Sequence, residues 1–260
     1  MKNPPKAPCV PRFRYTTLCY DAQPRPNRSL DVFVPDQSTR RCSVLFVHGG
    51  GWTGGVRSAF HPIMVALTKL GYVCGSLDYR LGGGATALEQ VEDVALGRQV
   101  FTDYLKESGY PEGIVLCGSS AGAHLALLAG MRDSEEPTLG IVAASGPVTF
   151  ELWEEIFPPI RDAMVSIAGK SMTDAPELYR ELSPYYHING CTPPICLLNG
   201  ANEHMFPRPL TEVFVAKMQL AGRFVESHVY ANAEHGFFYD VTRSCQQKAF
   251  HDVTRFLAKI

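Results

Sequence analysis

No stretch of the 260-residue chain approaches the roughly 18 consecutive apolar residues of a membrane-spanning helix, so the sequence offers no such helix. Charge of one sign is equally scarce. Lysine and arginine total 24 against 26 acidic residues, a formal net charge of −2. The basic excess that marks a nucleic-acid-binding surface is missing. The densest basic patch, Thr39-Arg40-Arg41, reads as a solvated turn. The cysteines at 9, 19, 42, 74, 117, 191, 196 and 245 form no Cys-x-x-Cys pair. That removes the paired spacing of a zinc site and leaves buried free thiols in a reducing, cytoplasmic compartment as the expectation. The Pro-rich start, Met1 to Pro11, lacks an apolar core and does not read as a signal peptide. Internal repeats and low-complexity tracts are absent as well.

What is present is globular: 45% hydrophobic and 19% charged residues. A chain of this size buries about three quarters of its unfolded surface and needs neither disulfide nor metal for stability. Length alone allows one large domain or two small ones. Phe13 to Cys19 and Leu30 to Val34 read as antiparallel strands around a Pro-Arg-Pro-Asn turn. From Ser43 the rhythm changes. Val44-Leu45-Phe46-Val47 is a continuous apolar run, as expected of a strand buried on both faces. Helices follow at Ala59 to Leu70 and Ala87 to Glu107, with a strand at Tyr72 to Leu77 between them. Ile114 to Cys117, Gly140 to Ala144, Pro194 to Asn199 and Val225 to Tyr230 read as strands. Ala121 to Met131, Pro209 to Ala221 and Ser244 to Lys259 read as helices. This alternation predicts an α/β fold, a mostly parallel sheet flanked by helices. Residues 147–190 break the alternation and are expected to form a helical cap over the strands' C-terminal edge.

Two motifs carry chemistry. Gly118-Ser119-Ser120-Ala121-Gly122 fits G-x-S-x-G between a strand and a helix, the setting of a nucleophile elbow. Small residues must flank so sharp a turn. Ser120 then presents its hydroxyl at a helix N-terminus, where the dipole favours developing negative charge. The second motif, His48-Gly49-Gly50-Gly51-Trp52, follows the first buried strand. Its glycines let backbone N–H groups approach a substrate carbonyl. Those of Gly50 and Gly51, together with that of Ala121, are candidates for an oxyanion hole.

With these residues the chain resembles the α/β-hydrolase superfamily, and within it the small esterases and arylformamidases of the kynurenine formamidase type. Ser120 to Ala126 reads Ser-Ala-Gly-Ala-His-Leu-Ala, as that group's elbow does. The resemblance extends through Leu77-Asp78-Tyr79-Arg80-Leu81, Ser183 to Ile188 and Glu234-His235-Gly236-Phe237, from about Ser43 onward. It implies that His235 is the catalytic base. In this fold the acid falls between serine and histidine in chain order, and Glu203 occupies the position where the family usually carries aspartate. Asp240 is the competitor, although it follows the histidine. The resemblance also implies packing and hydrogen bonding for His124. His48 is expected to brace the glycine loop, and Cys117, on the buried strand before the elbow, to be an inert thiol. Asp78, Arg80 and Asp93 are expected to form an internal ion-pair network. Gly82-Gly83-Gly84 lacks the Gly-Lys-Ser/Thr ending of a phosphate loop. His204, beside the acid, has no counterpart.

The combined expectation is one α/β-hydrolase domain over 1–260 with 147–190 as its cap. It would cleave a small ester or an N-formyl or aryl amide through an acyl-enzyme on Ser120, without cofactor or metal. The partner would be a small, neutral or weakly polar substrate, not nucleic acid or membrane, and the protein a monomer or homodimer. Cap aromatics Phe150, Trp153 and Phe157 would face an aromatic group. The same scaffold also hosts dehydratases, lyases, cyclases and small-molecule receptors, because fold does not fix function.

Overall fold

Runs of aromatic and β-branched residues open the described part of the chain as an edge strand and its inner neighbour. Strand β1 (Phe13–Cys19) pairs antiparallel with β2 (Ser29–Pro35), and β2 pairs antiparallel with β4 (Cys74–Leu77). The computed structural model describes residues 13–20, 28–132 and 138–260. Met1 to Pro11, Cys9 and the turn expected at 24–27 lie outside them.

Every other pairing, starting from β3 (Ser43–Val47) with β4, is parallel. With β5 (Ile114–Ser119), β6 (Gly140–Ala144), β7 (Ile195–Asn202) and β8 (Val225–Glu234), the sheet has, among the described residues, eight strands in the order β1-β2-β4-β3-β5-β6-β7-β8. All residues of β3, β5 and β6 are buried, as their unbroken apolar runs require. Helices α1 (His61–Thr68) and α7 (Ser244–Leu257) cover one face through Ile63, Leu67, Val253 and Phe256. Helices α2 (Ala87–Ser108), α3 (Ala121–Met131) and α6 (Arg208–Leu220) cover the other through Phe101, Leu125 and Phe214. Thr86 and Glu89 form a capping box that starts α2, and Gly109, at φ 71°, ends it. Helix α3 has no polar stripe because all eleven of its residues are buried. Among the described residues no helix is long and apolar enough to cross a membrane.

Two expected boundaries move. The helix expected over Ala59 to Leu70 is a single turn, Arg57–Phe60, abutting α1. Pro62 lies in the first turn of α1, where it lacks the N–H that an uninterrupted helix would use. Strand β8 runs four residues past Tyr230, and β7 runs on to Asn202 with a register irregularity after Gly200. A Cβ on Gly200 would sit 2.4 Å from the Ala233 carbonyl oxygen, so only glycine lets the two strand ends close on each other. Between β6 and β7 the 147–190 insertion carries helices α4 (Pro158–Ala168) and α5 (Pro176–Glu181) and a final turn, Pro184–His187.

Candidate active site

Ser120 links β5 to α3 with φ 55° and ψ −124°, a left-handed conformation that a non-glycine residue holds only under strain. The surrounding backbone imposes it. The Ser120 N–H donates to the Ala144 carbonyl at 2.8 Å, and the Ala123 N–H donates to the Ser120 carbonyl at 2.9 Å. A Cβ on Gly118 would meet the Gly122 carbonyl oxygen at 2.2 Å, and one on Gly122 would meet that of Val47 at 2.1 Å. The elbow therefore has no room for larger neighbours.

His235 directly follows β8, and Glu203 directly follows β7. The extended strand ends bring them together. His235 Nε2 lies 2.8 Å from Ser120 Oγ, while Nδ1 lies 2.9 Å and 3.0 Å from the two Glu203 carboxylate oxygens. Burial alone would raise the Glu203 carboxyl. The hydrogen bond and charge of His235, with the Met205 and Phe206 N–H groups, outweigh it and hold the group below the usual glutamate range. An ionised Glu203 accepts a hydrogen bond from Nδ1–H, which leaves Nε2 free to accept from the serine hydroxyl. Asp240 takes no part: its carboxylate accepts from the Val241 N–H and the Thr242 hydroxyl.

The glycine loop packs against this elbow. A Cβ on Gly49 would lie 3.1 Å from Ser120 Cβ. The Gly50 carbonyl accepts from the Gly54 N–H at 2.9 Å, closing a turn in which Gly50, Gly51 and Trp52 all have positive φ. Space is open where a Gly51 side chain would be. Ala121 is the first residue of α3, so its N–H has no partner within the helix. Of the expected donors, Ala121 adjoins Ser120, and Gly50 and Gly51 continue the loop whose Gly49 packs on it.

His124 joins the glycine loop to the 147–190 insertion. Trp52 Nε1–H can only donate, and it lies 3.2 Å from His124 Nδ1, so Nδ1 must accept. Nε2 then carries the proton and donates to the Leu182 carbonyl at 2.7 Å. Burial pushes the imidazole down to about 4, keeping it neutral. Phe150 stacks on it with centroids 4.8 Å apart, so this cap aromatic packs beneath the site instead of facing a substrate. Trp153 stands against Phe206, and Phe206 lies 5.6 Å from the His235 ring. Gly146, Val148 and Leu210 surround the rings of Trp153 and Phe206, with no space left among them for a water molecule. Phe157 and His204 face each other at 6.3 Å, both exposed.

The expected charge network divides in two. Arg80 pairs with Asp93 at 2.8 Å and reaches Glu89. Asp78 instead joins Arg57, which also pairs with buried Asp31 at 2.9 Å. The Arg57 N–H donates to the Asp78 carboxylate at 2.6 Å, so the turn before α1 captures it. His48 stacks on Tyr79 at 4.4 Å, with Nδ1 2.8 Å from the Gly49 carbonyl. Cys42, Cys74, Cys117, Cys196 and Cys245 are buried thiols. Burial holds Cys117 protonated, well above the ordinary thiol value.

Away from the elbow, the side-chain ligand atoms of Cys196, Glu226 and His228 lie within 4.8 Å of one another. Lys259 and Arg255 already neutralise Glu226, and burial pushes the Cys196 thiol far up. This protonated, cation-flanked set is a poor divalent-metal site. The neighbouring groove between β8 and α7 holds none of the residues around Ser120.

Comparison with known proteins places the chain among esterase relatives in sequence and fold. The BD-FAE family model matches residues 30–218. Esterase LipQ of Mycobacterium tuberculosis is 30% identical over 220 residues, covering 76% of this chain and 51% of that protein. The probable isoprenylcysteine alpha-carbonyl methylesterase ICMEL1 of Arabidopsis thaliana is 26% identical over 264 residues, covering 91% and 54%. The chain spans about half the length of these curated relatives. Among solved structures, Esterase B from Lactobacillus Rhamnosis aligns with a TM-score of 0.82 and 17% identity over 95% of this chain and 85% of that one, a likeness of fold.

Proposed function

Because the chain belongs to the BD-FAE family and has the α/β-hydrolase fold, we propose that it is a serine ester hydrolase in which Ser120, His235 and Glu203 act as one relay. The observation that carries this reading is the unbroken line of contacts, 2.8 Å from Ser120 to His235 and 2.9 Å from His235 to Glu203.

In the forward step Ser120 Oγ attacks the ester carbonyl carbon while its proton passes to His235 Nε2. The carbonyl oxygen becomes an oxyanion facing the N–H groups of Gly50, Gly51 and Ala121. Each such donor supplies about 3 kcal/mol of transition-state stabilisation. Glu203 stabilises the imidazolium without taking its proton. The tetrahedral species collapses, the C–O bond to the alcohol breaks, and His235 delivers its proton to that oxygen. Water repeats the sequence on the acyl-enzyme and frees the acid and Ser120.

The rings of Trp153 and Phe206 beside His235 offer an apolar surface to a small acyl or aryl group. An N-formyl aryl amide passes through the same tetrahedral step and is the second substrate class to assay. In this reading 147–190 acts as a lid on a single catalytic domain, and the buried thiols suit a reducing cytoplasm. Turnover of p-nitrophenyl acetate, with a burst equal to the enzyme concentration, tests the proposal. Ser120→Ala should abolish both, and a folded Ser120→Ala variant with wild-type turnover would refute it.

A further inference from the structure

One peptide unit at the root of the glycine loop is gripped at both ends by phenols. The carbonyl of His48 accepts from the Tyr79 hydroxyl at 2.8 Å. The N–H of Gly49, across the same peptide bond, donates to Tyr239 Oη at 2.8 Å. Tyr79 follows β4 and is fully buried. Tyr239 lies four residues after His235, with its ring against Phe60 at a centroid distance of 4.7 Å. The next peptide is fixed in turn, because the Gly49 carbonyl lies 2.8 Å from His48 Nδ1. The opposite pole of that second peptide is the Gly50 N–H. A trans peptide is planar, so fixing its carbonyl fixes where its N–H points.

We propose that Tyr239 is a positioning residue that locks the His48–Gly49 peptide and so aims the Gly50 N–H at the developing oxyanion. Tyr239 and His235 share one loop, which gives the base and the oxyanion donors a common mechanical reference. No sequence motif announces this role. It requires a phenol oxygen able to accept from Gly49, held by a ring wedged between the glycine loop and the turn before α1. A Cβ on Gly49 would lie 2.6 Å from that oxygen, so the fit leaves no room for an alternative residue at 49. The inference rests on the serine-hydrolase reading above.

Tyr239→Phe keeps the ring and its packing and removes the hydroxyl, which accepts from the Gly49 N–H and also bonds the Ser119 side chain. Deleting an oxyanion donor outright typically costs ~10²–10³ in kcat, so a donor left in place but released should cost roughly tenfold. The expected pattern is a kcat loss of that size with KM nearly unchanged. Affinity for a boronic acid that adds to Ser120 should fall by the same factor, in a variant with wild-type circular dichroism. Tyr79→Phe cuts the other end of the same peptide and should show the same split. The double variant should lose less than the product of the two single losses, because both release one group. Unchanged kcat and boronate affinity in folded variants, a loss confined to KM or melting temperature, or fully multiplicative losses would each overturn the proposal. Ser120→Ala separates the two readings. Turnover that survives it removes the serine mechanism itself. Turnover that depends on Ser120 yet ignores Tyr239→Phe removes only the clamp.

Discussion

Acidification should weaken this protein by about 3 kcal/mol through His124 alone. The imidazole titrates near 6.5 in an unfolded chain and is pushed down to about 4 in the folded one, chiefly by burial. The folded protein needs it neutral, because Nδ1 accepts from Trp52 while Nε2–H donates to Leu182. As the pH falls below 6.5 the unfolded chain binds a proton that the folded chain refuses, so stability declines. The contribution is complete above 6.5 and is lost progressively down to about 4, where the folded state also protonates. A shift of about 2.5 units at 1.36 kcal/mol each gives the magnitude. Urea unfolding at several pH values, for the wild type and His124→Gln, isolates the effect, since other titrating groups cancel in the difference. The stability gap should shrink by about 3 kcal/mol between the two limits. A gap independent of pH across that window would refute both the assigned tautomer and the buried neutral imidazole.

Three further outcomes follow from the same contacts. Glu203→Gln should lower kcat by about 10³–10⁴ with little change in KM, measured by steady-state kinetics, because the neutral amide no longer fixes the tautomer or stabilises the imidazolium. Asp240→Asn should keep kcat within about twofold in the same assay, since its carboxylate faces Val241 and Thr242 and not the base. Gly122→Ala should cost about 3 kcal/mol or prevent folding, read by urea midpoint and soluble yield, because the added methyl would meet the Val47 carbonyl oxygen at 2.1 Å.

The parts of this architecture set by short-range pattern are visible in the sequence. Val44 to Val47 and Ile141 to Ala144 can only be buried strands, and Ala121 to Met131 is a helix with the expected ends. The elbow is legible because sterics demand small residues around Ser120. The ends of β7 and β8 are not, because Ala231-Asn232-Ala233-Glu234 has no strand pattern, turns at Asn232 with φ 59°, and joins the sheet only by pairing beyond Gly200. That long-range pairing is what delivers Glu203 to His235. Asp78 misleads for a similar reason: Arg80 is near in sequence, but Arg57 reaches the carboxylate through the fold. Tyr239 gives no signal at all, since its role depends on a single backbone N–H brought to it from 190 residues away.

The central claim is that Ser120 carries the acyl group. The most direct measurement is intact-protein and peptide mass spectrometry after rapid acid quench of the enzyme turning over p-nitrophenyl acetate. The account predicts an added acetyl mass confined to the peptide containing Ser120, absent from Ser120→Ala. An acetyl group on another residue, or steady turnover by a folded Ser120→Ala enzyme, would contradict it.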